Sequence, residues 1–189
     1  MRKPIEDPIW YAYPGLVAIV TSKYKGEQNI MSVGWHTFMG TNPHTYGISL
    51  DTTTHTYDLV KNSGVFGVQF LPAHLTKLIT DVGTTSGSDV DKFHEYNILY
   101  DDGLKTGVPI LKDAYFAYEC EVKTMTGVAG SEWVVGEIVQ RYQDTDLFID
   151  KGMPDFSKLE VPLYIGRSNY RVLNENAPQK NHPSILDNY

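Results

Sequence analysis

A chain of 189 residues with 41% hydrophobic and 21% charged residues is most simply one domain, long enough to bury a core without disulfides or a structural metal. Its formal charge of −7 leaves no basic surplus to displace counterions from a phosphate backbone, which argues against a dedicated nucleic-acid binder. The single cysteine, Cys120, excludes an intrachain disulfide framework and any cysteine-built zinc or iron–sulfur site within one chain. Arg2 and Lys3 are followed by Pro4, Glu6 and Asp7, not by an apolar stretch, and no run reaches membrane-spanning length. The expectation is a soluble, cytoplasmic protein without a signal peptide.

Residues 16–21 form a β-branched apolar run, and Lys25-Gly26-Glu27 behind it is a turn into a second strand, so a hairpin is expected. That second strand carries Asn29-Ile30-Met31-Ser32-Val33-Gly34-Trp35. Alternation places Asn29, Met31, Val33 and Trp35 on one face and Ile30, Ser32 and Gly34 on the other, the second face being shallow enough for a planar ring to reach main-chain N–H groups. An ordinary barrel strand with a bulge at Gly34 accounts for the same spacing. Residues 46–50 read as the next strand, 57–63 as a short helix closed by Gly64, and 65–70 as a strand. A second helix is expected over 73–82, with Pro72 at its start and Gly83 stopping it. Little regular structure is expected between Thr84 and Phe93. Phe116, Tyr118, Cys120 and Val122 alternate with Ala117, Glu119, Glu121 and Lys123, the pattern of a half-buried strand whose partner is 133–142. Residues 163–166 and 170–173 supply a last strand or pair of strands, and 174–189 read as a polar tail. Many short strands with two minor helices favour a closed β-barrel over a parallel α/β sheet.

Two places suit an anion. Residues 46–50 run straight into Asp51-Thr52-Thr53-Thr54-His55-Thr56 and a helix, where unpaired N–H groups and hydroxyls gather at the positive end of the helix dipole. Helix capping alone explains the same residues. Ser86-Gly87-Ser88 followed by Asp91-Lys92-Phe93 offers a polar loop in which Lys92 can neutralise a phosphate, while Phe93 either covers a ligand ring or anchors the loop. The six histidines show no i, i+4 pair of the zinc-hydrolase kind, so no metal site is expected. Cys120 lies on the apolar face of its strand and is a poor nucleophile candidate. The nucleophile elbow, the phosphate-binding P-loop and the Gly-x-Gly-x-x-Gly fingerprint are all missing, which withdraws support from hydrolases, P-loop enzymes and Rossmann dehydrogenases.

Taken in order, these segments resemble the flavin reductase-like family of FMN-binding split barrels, over most of residues 13–173. Asn29 to Trp35 is similar to that family's Asn-x-Met-Thr/Ser-x-x-Trp strand, and Ser86 to Phe93 to its Ser-Gly-Arg/Lys-x-x-Asp-Lys-Phe loop. The helix and strand of Tyr57-Asp58-Leu59-Val60-Lys61-Asn62-Ser63-Gly64-Val65-Phe66 and the closing Leu163-Tyr164-Ile165-Gly166 extend the likeness. The resemblance implies a mainly β, six-stranded antiparallel split barrel of Greek-key type with short flanking helices, spanning 1–173. It further implies a homodimer with FMN near the interface. On that reading Asn29, Met31, Ser32, Val33, Gly34 and Trp35 border the flavin, Ser49 and Asp51 its polar edge, and Thr53, His55 and Thr56 the phosphate. Ser86, Lys92 and Phe93 close over it. The implied activity passes a hydride from NADH or NADPH to the flavin and on to a small acceptor, with no acid, base or nucleophile required of the chain. An FMN electron carrier without nicotinamide use, or a cofactor-less dimeric barrel acting as an interaction module, are the alternatives. The chain departs from the family at His55 and Ser88, where arginine or lysine is common, which shifts phosphate binding onto helix-start N–H groups, threonines and Lys92 and makes it pH-dependent through His55.

Overall fold

The computed structural model describes residues 2–4, 6, 15–149 and 152–182. Strand β1 (Ala18–Tyr24) turns into β2 (Glu27–Val33) through Lys25 and Gly26, both at positive φ (49° and 87°), the two-residue turn whose twist matches a hairpin. Then come β3 (His36–Thr41), β4 (His44–Asp51), helix α1 (His55–Ser63) and β5 (Val65–Phe70). The long strands β8 (Phe116–Val128) and β9 (Ser131–Gln143) complete a seven-stranded sheet, ordered β2-β1-β5-β8-β9-β4-β3 with every neighbouring pair antiparallel.

The two edges of this sheet, β2 and β3, are consecutive in the chain, with only Gly34 and Trp35 between them. Two residues span at most about 7 Å, so the sheet must curl until its edges meet. The result is a split barrel, with seven strands in its main sheet where the resemblance implied six. Its interior is filled from every strand of the ring but β3, among others by Val20, Val33, Ile48, Phe66, Val68, Cys120 and Val134. Alternation sends Ile19 and Ile30 to the outside, where Leu71, Ile79, Val82 and Phe93 form a second apolar cluster. That cluster seats α2 (Thr76–Thr84) and the short α3 (Lys92–Glu95) against the β1–β2 hairpin. Smaller ladders join β6 (Tyr100–Asp102) to β7 (Pro109–Leu111), β10 (Phe148–Ile149) to β11 (Met153–Pro154), and β12 (Val161–Gly166) to β13 (Asn169–Leu173).

Several sequence expectations change. Helix α1 begins at His55, two residues early, because Thr54 is its N-cap; it ends as expected at Gly64, in the left-handed region with φ 72°. Gly83 does not stop the second helix. A single 3₁₀ turn, Ala73–Leu75, precedes α2, which runs on through Gly83 because a methyl group there would come within 2.9 Å of Ser32 Cβ. Helix–strand contact, not chain termination, is the reason for that glycine. Asp91 accepts from the amides of Phe93 and His94 and so caps α3 in a stretch read as loop. Glu119, expected on the wet face of its strand, is wholly buried. Of the polar tail, residues 183–189 lie outside the described residues.

Candidate functional site

At the end of the barrel where β4 finishes and β2 begins, three distant segments surround one cavity of about 260 Å³. The helix start contributes Thr53, Thr54, His55 and Thr56; the end of α2 and the following loop contribute Val82, Gly83, Thr84, Thr85, Ser86 and Gly87; Asn29 and Met31 of β2 and Lys92 complete the wall.

The helix start is organised from within. Asp51 accepts from the amide (2.8 Å) and hydroxyl (2.7 Å) of Thr53, which together hold its carboxyl below the ordinary range. Thr54 donates its hydroxyl to Asp51 O and accepts from the amide of Tyr57. The first amides of the helix, those of His55 and Thr56, have no intrahelical acceptor and lie at the positive end of the dipole. Asn29 is locked to this corner: its Nδ2 donates to Thr56 Oγ1 at 2.9 Å, with both residues buried. Gly87 lies so close above Asn29 that any side chain there would overlap the carboxamide. The His55 imidazole stands 3.1 Å from the Glu27 carboxylate.

Lys92 is 3% exposed, and its Nζ donates to Ile30 O (2.9 Å) and Val82 O (2.7 Å). Val82 lies in the last turn of α2, so the ammonium satisfies one of the carbonyls a helix end leaves open. An ammonium has three donors, which leaves one for the cavity that Lys92 lines. Burial lowers its pKa to about 8.

The structure therefore brings together Asn29, Met31, Thr53, His55, Thr56, Ser86 and Lys92. It separates others. Ser32 is turned the other way, donating its hydroxyl to Ile79 O, and with Gly34 it lines a smaller hollow of about 200 Å³ under α2 and Tyr170. The shallow face expected at Ile30, Ser32 and Gly34 is thus roofed by α2 except at Gly34, where nothing lies within 4 Å of an added methyl. The side chain of Val33 is core. Trp35, 53% exposed, follows the strand end, and its carbonyl accepts from the Ser49 amide. Asp51 builds the turn and does not line the cavity. Phe93 points into the second cluster, its ring 4.8 Å from Tyr100, where it anchors the loop and does not line the cavity. Ser88 shares a 2.7 Å hydrogen bond with Ser86 and lies outside the lining. Sequence reasoning passed over Gly83, Thr84 and Thr85. Their small or hydroxyl-bearing character beside Ser86 was the available signal.

The donor set suits a phosphate: helix-start amides, hydroxyls and one buried ammonium converge, and Gly87 leaves the loop close to Asn29. A volume of about 260 Å³ takes a phosphate with part of its chain but not three fused rings as well, so the flat portion of a larger ligand must lie outside, toward the exposed end of β2.

Split barrels with this topology are known among flavin-binding proteins. An FMN-binding protein from Thermus thermophilus, solved with bound 1-cyclohex-2-enone, superposes with a TM-score of 0.83 at 29% identity, covering 95% of this chain and 98% of that one. The flavoredoxin of Desulfovibrio vulgaris (Miyazaki F) has the same fold, with a TM-score of 0.82 at 22% identity over 95% of this chain and 97% of its own. The uncharacterized protein YddH of Escherichia coli is 27% identical over 161 residues, 82% of this chain and 85% of its own. The flavin reductase like domain matches residues 10–174, and the chain belongs to that family.

Proposed function

We propose that the protein holds FMN with its phosphate in the cavity at the start of α1 and acts as an oxidoreductase, moving a hydride from NADH or NADPH to the flavin and electrons on to a small acceptor. The observation that carries this reading is the convergence of two motif segments and the helix start, far apart in sequence, on one cavity of phosphate-binding chemistry. Amides of His55 and Thr56, hydroxyls of Thr53 and Ser86, and the free donor of Lys92 would take the phosphate oxygens. Asn29 fixes Thr56, and Gly87 lets the loop close over both. The edge of β2 from Met31 to Trp35 would border the ring, with Gly34 the point of open backbone approach. Bound there, a flavin supplies hydride acceptance at N5. The protein supplies position and charge.

A homodimer with FMN near its interface, in the cytoplasm, belongs to the same proposal; the exposure of Trp35, just before β3, and of Met39 on it, 53% and 51%, supports the dimer. Among the described residues no helix is long and apolar enough to cross a membrane. The test is equilibrium dialysis of the purified protein against FMN, followed by NADH and NADPH oxidation. Saturable binding in the micromolar range with FMN-dependent nicotinamide oxidation is expected. FMN binding without turnover would leave an electron carrier, and no saturable binding would end the flavin reading.

A further inference from the structure

The opposite end of the barrel, where β5 finishes and β8 begins, opens into a separate cavity of about 430 Å³. Its walls are aromatic, with Phe38, Phe70, Phe116 and Phe148 set among three tyrosines, Tyr46, Tyr115 and Tyr118. The rings meet edge to face, Phe38 on Tyr46 at 4.9 Å and Phe116 on Tyr118 at 5.0 Å, so another ring entering the mouth finds both faces and edges to pack on. Among the described residues no lysine, arginine, aspartate or glutamate lines it.

Among the described residues the titratable group of ordinary range in the wall is His36, whose burial favours the neutral form. Nε2 lies 3.0 Å from the Leu16 carbonyl and must carry the proton it donates there; in the neutral ring Nδ1 accepts from the Tyr46 hydroxyl at 2.7 Å. Burial also holds the imidazole below the usual histidine range, against the Leu16 hydrogen bond that raises it. A charged ligand would lose its hydration here with no charged side chain among the described lining residues to replace it; the Arg141 guanidinium, paired across the ladder with Tyr118 and acting on its hydroxyl, lies outside that lining.

Two polar groups, however, are left to be satisfied. Tyr115 and Tyr118 are only 7% and 8% exposed, yet neither hydroxyl has a hydrogen-bond partner among the described residues. No side-chain oxygen or nitrogen is both sealed from solvent and unpaired among them, so these two hydroxyls are reached from the open side, through the mouth that both residues line. An aromatic socket whose described lining carries no charged side chain, and whose Tyr115 and Tyr118 hydroxyls have no partner among the described residues, suits a ring with an oxygen on it.

We propose that the barrel mouth is a binding site for a small, uncharged aromatic molecule bearing an oxygen substituent, of the phenol type, held by the phenylalanine walls and by the Tyr115 and Tyr118 hydroxyls. The site is independent of the phosphate cavity, from which the length of the barrel separates it. Calorimetric titration with 2-naphthol tests it, alongside 2-naphthalenesulfonate, which has the same rings and a fixed negative charge. One saturable site per chain is expected for 2-naphthol, with the sulfonate at least about tenfold weaker. The double variant Tyr115→Phe/Tyr118→Phe keeps both rings and is expected to weaken 2-naphthol about tenfold at unchanged thermal stability. Lys92→Ala, at the other end, is expected to leave 2-naphthol binding as it was. Absence of saturable binding, equal affinity for the sulfonate, or indifference to the double variant overturns the proposal. So does 2-naphthol binding that vanishes as rising protein concentration drives association, which would assign the mouth to a second copy of the chain.

Discussion

Lys92 does two jobs with one ammonium: it closes the C-terminal end of α2 onto β2, and it holds a positive charge at the wall of a cavity in a chain of net charge −7. Because burial lowers its pKa to about 8, the charge is complete below that pH and is lost above it. Phosphate attraction by this group therefore falls as pH rises from about 7 to about 9, and FMN dissociation constants measured across that range should rise. Lys92→Ala should weaken FMN by about 1–2 kcal/mol near neutral pH and flatten the profile above it, provided one charge-assisted contact is made. An unchanged affinity would remove Lys92 from the site. Stability responds with the opposite sign: between about pH 8 and the ordinary lysine value near 10 the unfolded chain binds the extra proton, so folding is favoured by raising pH there. Gly87 is the second residue to test. A methyl group there overlaps Asn29, so Gly87→Ala should break the buried Asn29–Thr56 hydrogen bond, reduce FMN affinity about tenfold or more and lower stability by about 1–3 kcal/mol in urea unfolding.

Among the elements, the loop of residues 103–107 folds over β8 because Glu119 is there to receive it. Its carboxylate accepts from the amides of Lys105 and Thr106, the Thr106 hydroxyl and the Tyr142 hydroxyl. Burial works to raise its pKa, but these hydrogen bonds outweigh burial and hold it below the ordinary carboxylate value. A depressed folded-state pKa contributes stability above the unfolded carboxylate range and loses it as pH falls through the folded value. Glu119→Gln should cost about 1–3 kcal/mol in urea unfolding at pH 7, since an amide nitrogen faces donors that had an acceptor, and should shrink the loss of stability on acidification below about pH 4. Strand alternation put Glu119 outside with Glu121, and by periodicity that was sound. The covering loop comes from a stretch that carries no strand signal, and only its arrival makes the position interior. The short α3 escaped notice for the opposite reason: a single turn is too brief to show a helical period, and only the Asp91 cap marks it.

For the molecule as a whole, the proposed homodimer would be built on the free edge of the sheet. Strand β3 is an edge strand, and Met39 stands 51% exposed on it. Sedimentation equilibrium is expected to give twice the chain mass, with Met39→Glu shifting it toward the monomer and weakening FMN in parallel. A monomer that binds FMN fully would separate the cofactor from assembly. Cys120, buried in the barrel with its thiol pushed up to about 12 chiefly by burial, takes part in none of this and serves as core.

By itself the sequence determined whatever neighbours along the chain decide: the Lys25–Gly26 turn, the Gly64 close of α1, and the two motif segments with their hydroxyls and Lys92. Such features depend on a few adjacent residues and their φ values. Tertiary structure alone decided which side of β2 stays open, since Ser32 and Gly83 meet only when α2 packs down, and it turned Phe93 inward to anchor its loop. It also gathered Tyr115 and Tyr118 with His36 at the far mouth of the barrel. Burial is set by whichever distant segment lands on a side chain, and no local pattern encodes that.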